Sequence, residues 1–454
     1  MIQVRSLVVD HALTREGWQT PAALEIDESG IITSIGALPR PGALSLRLRG
    51  YAIPGMPNLH SHAFQRVLSG RTERAGPAGD SFWTWRELMY GLAAKITPED
   101  LETIAHALYV EMLEAGMTSV AEFHYLHHDR DGTPYADRAE LSRRIAAGAQ
   151  QAGIDLLLLP VLYQRGGFGQ APKPSQRRFI HDKLDDFLAL LAAIERIPGL
   201  RLGVAPHSLR AVEGDALIAL VRSISAAMPI HIHVAEQLAE VEQCLSTLGK
   251  RPIQHLLDDI GLDPRWCLIH ATHADPAEIA GIAGRRTIVG LCPSTEANLG
   301  DGLFDARRFW ASGGRFGIGS DSHATVSSGE ELRLLEYGQR LLHRERNVLA
   351  HSGGLGQSLW LSAVEGGAAA VGRAQAGIAV GAPADLVVLE PDHPRLLDHG
   401  EDTLLDAFVF GSADRGIAQV IAGGKHVVKD GRHVHRDRAF SAYRRTVKRL
   451  LSAE

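Results

Sequence analysis

Two histidines separated by a single residue, His60 and His62, open a pattern that runs the length of the chain. On an extended backbone, side chains two residues apart point the same way, so both imidazoles reach one cation. His233 ends another apolar run, with Glu236 three residues later. His270 ends a third and Asp321 a fourth. Neutral imidazoles with one carboxylate suit Zn²⁺, or Fe²⁺ with less preference. His231 shares a strand face with His233 and competes for the same place. Singly, each of these residues reads as a satisfied core or surface side chain. Their recurrence at the ends of successive apolar runs carries the argument. A divalent cation lowers the pKa of a water to about 7.

The elements that must position these groups alternate along the middle of the chain. Short apolar runs lie at 51–60, 117–125, 154–163, 200–208, 229–236, 266–273, 286–293 and 315–323. Helical stretches are expected between them at 98–115, 138–152, 182–196, 236–249 and 330–349. Eight strand-like runs with intervening helices give an α/β fold, a (β/α)8 TIM-type barrel, with catalytic groups at the C-terminal strand ends. A doubly wound sheet shares this rhythm. Both ends of the chain read instead as short strands with turns, at Ser29-Gly30 and Pro41-Gly42 among others. Residues 1–51 and 379–454 are expected to form one small composite β-sandwich domain, and 52–378 the barrel. The stretches 69–97 and 164–180 read as long loops of the kind that often serve function.

Composition narrows the class. The chain has 454 residues, with 45% hydrophobic and 22% charged residues, ordinary for a globular protein with a sizeable core. A formal net charge of −6 argues against a nucleic-acid partner. Three cysteines, Cys244, Cys267 and Cys292, show no paired spacing, which fits a reducing compartment. With no secretory h-region and no 18-residue apolar stretch, the expectation is a cytoplasmic protein without a membrane partner.

The His60-Ser61-His62 pair, His233 with Glu236, His270, and Ser320-Asp321-Ser322 resemble the amidohydrolase superfamily, in its branch with one catalytic metal. The resemblance runs over almost the whole chain. It implies His60, His62, His233 and Asp321 as metal ligands, with Glu236, His270 and Asp321 as the catalytic groups. The His233–Glu236 spacing fits the superfamily pattern, which favours His233 over His231. Branches with two metals carry a lysine late in a middle strand. The runs 154–163 and 201–207 hold none.

Four further stretches, His60–Arg66, Asp80–Arg86, Phe123–His128 and His207–Arg210, resemble the family of deiminases that act on N-formimino-L-glutamate in histidine breakdown. That resemblance implies hydrolysis to N-formyl-L-glutamate and ammonia by a homodimer. It implies substrate contacts from Gln65, Arg86, Tyr125, His207 and Arg210, with the Arg86 loop contributed across a dimer interface. The chemistry agrees, because a small dicarboxylate substrate needs fixed cations and arginine binds carboxylates in a bidentate fork. Trp83 and Trp85 read as loop packing. His124, His127 and His128 read as loop or supporting residues. Arg66, Arg71 and Arg74 have no assigned role. A guanine, cytosine or adenosine-type deaminase and a chlorohydrolase are the alternatives within the superfamily. A non-catalytic binding barrel is the alternative outside it.

Overall fold

The computed structural model describes residues 1–36, 45–73, 81–350, 354–412 and 415–452. The Pro41-Gly42 turn signal, Arg74 and Asp80 lie outside them. Each of the eight central apolar runs is a strand or contains one: β1 (Met56–Ser61), β2 (Met117–His124), β3 (Asp155–Leu162), β4 (Arg201–Leu202 with Ala205–Pro206), β5 (Ile230–Val234), β6 (Trp266–His270), β7 (Ile288–Leu291) and β8 (Arg315–Ile318). All pair in parallel, in the order β4-β3-β2-β1-β8-β7-β6-β5. β4 and β5, at opposite ends of that order, are also joined. His231 N–H donates to the Val204 carbonyl at 3.0 Å, and His233 N–H donates to the His207 carbonyl at 3.1 Å. Strands buried on both faces read as near-continuous apolar runs, which is why these segments lack polar alternation.

Helices cover the sheet where expected, among them α2 (Pro98–Glu114) and α3 (Leu238–Leu248). The helix α4 (Leu355–Ala370) packs across β8 through Gly366 and across β1 through Gly367. A Cβ at Gly366 would stand 1.8 Å from the Phe316 carbonyl oxygen, so only glycine allows this approach. No helix among the described residues is long and apolar enough to cross a membrane.

Two expectations are corrected. The 69–97 stretch is not a loop throughout, because α1 (Phe82–Ala93) lies inside it. Thr84 Oγ1 accepts from Ser81 N–H at 2.9 Å and starts that helix. Apolar Phe82, Met89 and Leu92 bury one side of it. The terminal segments do meet, but in one continuous ten-stranded mixed sheet rather than in two stacked sheets. The strand Leu46–Pro54 pairs parallel to Ser6–Thr14 and antiparallel to Leu386–Leu389, which carries the ladder from one terminus to the other. Alternate residues then serve two cores. Leu386 and Val388 face a small core with Leu7, Val9 and Leu24. Val387 and Leu389 face the large core that the parallel sheet shares.

Candidate active site

Four strands of the parallel sheet deliver polar residues, at their ends or just beyond, to one rim. β1 brings His60 and His62, β5 brings His233, β6 ends on His270, and Asp321 follows β8. His270 and Asp321 have left-handed backbone, with φ of +69° and +43°, and Ala235 before Glu236 has +52°. Such conformations are costly for residues with a Cβ and persist where surrounding structure imposes them, often at functional sites.

Three imidazole nitrogens converge. His60 Nε2 lies 3.1 Å from His62 Nε2 and 3.0 Å from His233 Nε2. Asp321 Oδ1 stands 3.5 Å from the first and 3.4 Å from the second. His62 donates its Nδ1–H to the Phe123 carbonyl at 2.9 Å, and His233 donates its Nδ1–H to the His207 carbonyl at 3.0 Å. Those bonds fix the tautomers and leave both Nε2 lone pairs facing inward. One proton on His60 Nε2 satisfies only one of them. A divalent cation satisfies all of them together with the carboxylate, so the donor set fits a metal. Burial, then the neighbouring histidines, hold the pKa of His60 and His233 well below the usual imidazole value, which keeps them neutral. His231 points elsewhere, with Nε2–H on the Ala370 carbonyl at 2.9 Å.

Beside this cluster opens a small cleft, with a cavity volume of about 50 Å³. His62, His233, Glu236, His270 and Asp321 line its floor, and His60 lies beneath them with no exposure. His270 Nε2 is 3.8 Å from Glu236 Oε1 and 3.7 Å from Asp321 Oδ2. Burial raises the Glu236 pKa, opposed in part by His270 and Arg210.

The walls carry the remaining expected residues: Gln65, Arg86, Tyr125, His207 and Arg210. Gln65 donates to Tyr125 Oη at 2.7 Å and keeps a buried Oε1 without a partner. Arg86 reaches this cleft from its own chain. Its guanidinium carbon sits 4.5 Å from the centre of the Trp83 ring, and that of Arg210 sits 5.9 Å from the same ring. Trp83 therefore faces both arginines rather than only filling a loop.

The supporting groups escape a reading of the sequence. Glu296 Oε1 accepts from His270 Nδ1 at 3.2 Å. Glu122 accepts from Ala63 N–H at 2.6 Å and Ser61 Oγ–H at 2.5 Å, which braces the segment holding His60 and His62. Burial pushes the Glu122 pKa to about 7. Tyr163 and Tyr90 line the cleft and are tied together through Gln176 Nε2. The two acids, Glu122 in β2 and Glu296 in a helix, carry no mark of their roles in the sequence, and only their packing reveals them. His127 bonds the Val161 carbonyl in β3, and His128 bonds the Ile180 carbonyl and so anchors the end of the 164–180 connection.

The model of the amidohydrolase family matches residues 51–427, and the chain belongs to that family. Formimidoylglutamate deiminase of Pseudomonas aeruginosa is 48% identical over 456 residues, spanning 98% of this chain and 99% of that protein. The crystal structure of an amidohydrolase from Brucella melitensis matches with a TM-score of 0.94 at 47% identity, covering 98% of this chain and 100% of that one. An adenosine deaminase from Xanthomonas campestris with bound zinc shares the fold, with a TM-score of 0.80 at 20% identity over 99% of this chain and 98% of that one.

Proposed function

We propose that the protein hydrolyses N-formimino-L-glutamate to N-formyl-L-glutamate and ammonia, as a step of histidine degradation. The observation that carries this reading is the pair of arginines, Arg86 and Arg210, on the wall of a cleft floored by histidines and carboxylates. Two fixed guanidiniums match a substrate with two carboxylates. A planar neutral heterocycle has no use for them. The 48% identical relative from Pseudomonas aeruginosa supports the same substrate.

The geometry supports a role for each residue. His60, His62, His233 and Asp321 would hold one divalent metal, Zn²⁺ with Fe²⁺ as the alternative. That ion supplies an acidified water and polarises the group attacked. Asp321 takes a proton from the attacking water, and His270 beside it stabilises the charge pattern. Glu236, whose pKa burial raises, delivers its proton in its protonated form to the imino nitrogen as the oxygen adds to the formimino carbon. Collapse returns the hydroxyl proton to Glu236 and moves the proton on Asp321 to the nitrogen. The C–N bond breaks with its electron pair, ammonia leaves, and a formamide carbonyl remains. Arg86 and Arg210 hold the two carboxylates, while Gln65, Tyr125 and His207 fix the formimino end.

The eight parallel strands are read as a (β/α)8 barrel at residues 52–378, with β4 meeting β5 to complete the ring. The segments 1–51 and 379–454 form the composite β domain. A cytoplasmic homodimer is the expected working form. Ammonia release from N-formimino-L-glutamate, with guanine, cytosine and adenosine in parallel, tests the proposal. Turnover of the first alone, lost on chelation, is expected. Turnover of a heterocycle instead would sink the substrate assignment.

A further inference from the structure

Glu240 is a buried acid that the chemistry above does not use. It sits in the first turn of α3 and has no solvent exposure. Its carboxylate folds back toward the site, where Oε2 accepts the backbone N–H of Glu236 at 3.1 Å. The same oxygen lies 4.0 Å from Arg210 Nε, while Arg210 Nη2 lies 3.9 Å from Glu236 Oε2. Glu240 Oε1 and Arg210 Nε are both buried without a hydrogen-bond partner. Among the described residues no other cation lies within ion-pair distance of Glu240.

A buried carboxylate held only by a long ion pair and one N–H is expensive, and a neutral side chain would be cheaper if starting a helix were its whole task. The geometry gives the charge a use. Arg210 is drawn between two carboxylates at distances too long for hydrogen bonds, so its orientation is set while its N–H groups stay available. Glu236 leaves β5 through the left-handed Ala235, and Glu240 holds the first N–H after that turn.

We infer that Glu240 is a positioning residue that ties the arginine receiving a substrate carboxylate to the acid that protonates the leaving nitrogen. This rests on the roles assigned above to Arg210 and Glu236. Removing the negative charge frees the field of Arg210, so carboxylates bind more tightly. It also removes a like charge near Glu236, which lowers the pH at which that acid deprotonates.

The experiment compares wild type, Glu240→Gln and Glu240→Ala, each metal-loaded. It reads kcat and KM for N-formimino-L-glutamate across pH, thermal melting, and glutarate affinity by calorimetry. The Ala variant is expected to lose kcat by about 10-fold or more, as a hydrogen bond to a charged group is removed. The Gln variant keeps an acceptor for the Glu236 N–H. It should regain most of that kcat, bind glutarate and substrate more tightly, and move the alkaline limb of its profile to lower pH. Variants that match wild type in kcat, KM, glutarate affinity and pH profile overturn the inference. A Gln variant that fails to fold also overturns it, by making Glu240 structural. If wild type does not turn over N-formimino-L-glutamate, the substrate reading fails, and glutarate affinity alone decides for Glu240.

Discussion

Glu296 hydrogen-bonds the Nδ1 of His270 at 3.2 Å, on the opposite side of the ring from Glu236 and Asp321. One histidine is thereby framed by three carboxylates. Burial alone would discharge it, but Glu236, Glu296 and Asp321 outweigh burial and raise its pKa. Glu296 also accepts the backbone N–H of Cys292 at 2.9 Å, so its own orientation is fixed by the chain after β7. Glu296→Gln should therefore lower kcat by about 10- to 100-fold, the scale of a lost charge-assisted hydrogen bond, with little change in KM. Steady-state kinetics checks this, and a KM effect larger than the kcat effect would contradict it.

Glu236 is read as the proton donor, and burial raises its pKa above the ordinary carboxyl value. The protonated form then persists to higher pH than for an exposed glutamate. Activity is expected to hold below that pKa and to fall as pH rises through it. Glu236→Gln should reduce kcat by about 1000-fold or more without loss of bound metal. A variant with full turnover would remove Glu236 from the chemistry.

Arg86 and Arg210 share the Trp83 ring, with distances of 4.5 Å and 5.9 Å to its centre. The negative face of an indole attracts a guanidinium, so one ring lets two like charges stand close. Arg86→Met and Arg210→Met should each raise KM by about 10-fold or more, as each removes a charged partner of a carboxylate. Trp83→Leu should raise KM about 3- to 10-fold, and Trp83→Phe should recover much of it. Equal effects of Leu and Phe would reduce Trp83 to packing.

Glu331 gives a stability prediction away from the chemistry. It is fully buried, and burial raises its pKa from 4.5 to about 8, with the Ser294 hydrogen bonds opposing. A carboxyl raised on folding contributes stability that is complete below its unfolded pKa of 4.5 and is lost as pH climbs through about 8. Glu331→Gln should therefore lose less stability than wild type between those values. Melting curves at several pH values decide it, and parallel curves would count against the assignment.

The converging histidines were legible because they stand at the ends of apolar runs, and the eight such runs correspond to the eight parallel strands. Arg86 was legible as a cleft residue, but its helix was not, because the Gly- and Pro-rich residues before it mask the start at Ser81. Glu240, Glu296 and Glu122 were not legible. An acid in a helix or inside a strand carries no local mark of the partner that packing brings to it from β1, β4 or β6. The single mixed sheet was hidden for a similar reason. Alternation predicts strands, while the neighbour chosen by Leu46–Pro54 depends on residues more than three hundred positions away.

One residue, Gly55, separates the mixed-sheet strand ending at Pro54 from β1, which carries His60 and His62. Its N–H donates to the Asp385 carbonyl at 2.9 Å, and a Cβ there would strike Thr118 at 2.4 Å. The two sheets are thus joined by a tether too short to act as a hinge. The terminal strands cannot be trimmed as a dispensable appendage, since pulling on them pulls on the pair of histidines. An isolated 52–378 fragment would inherit the residues of the site without the anchor that sets their register.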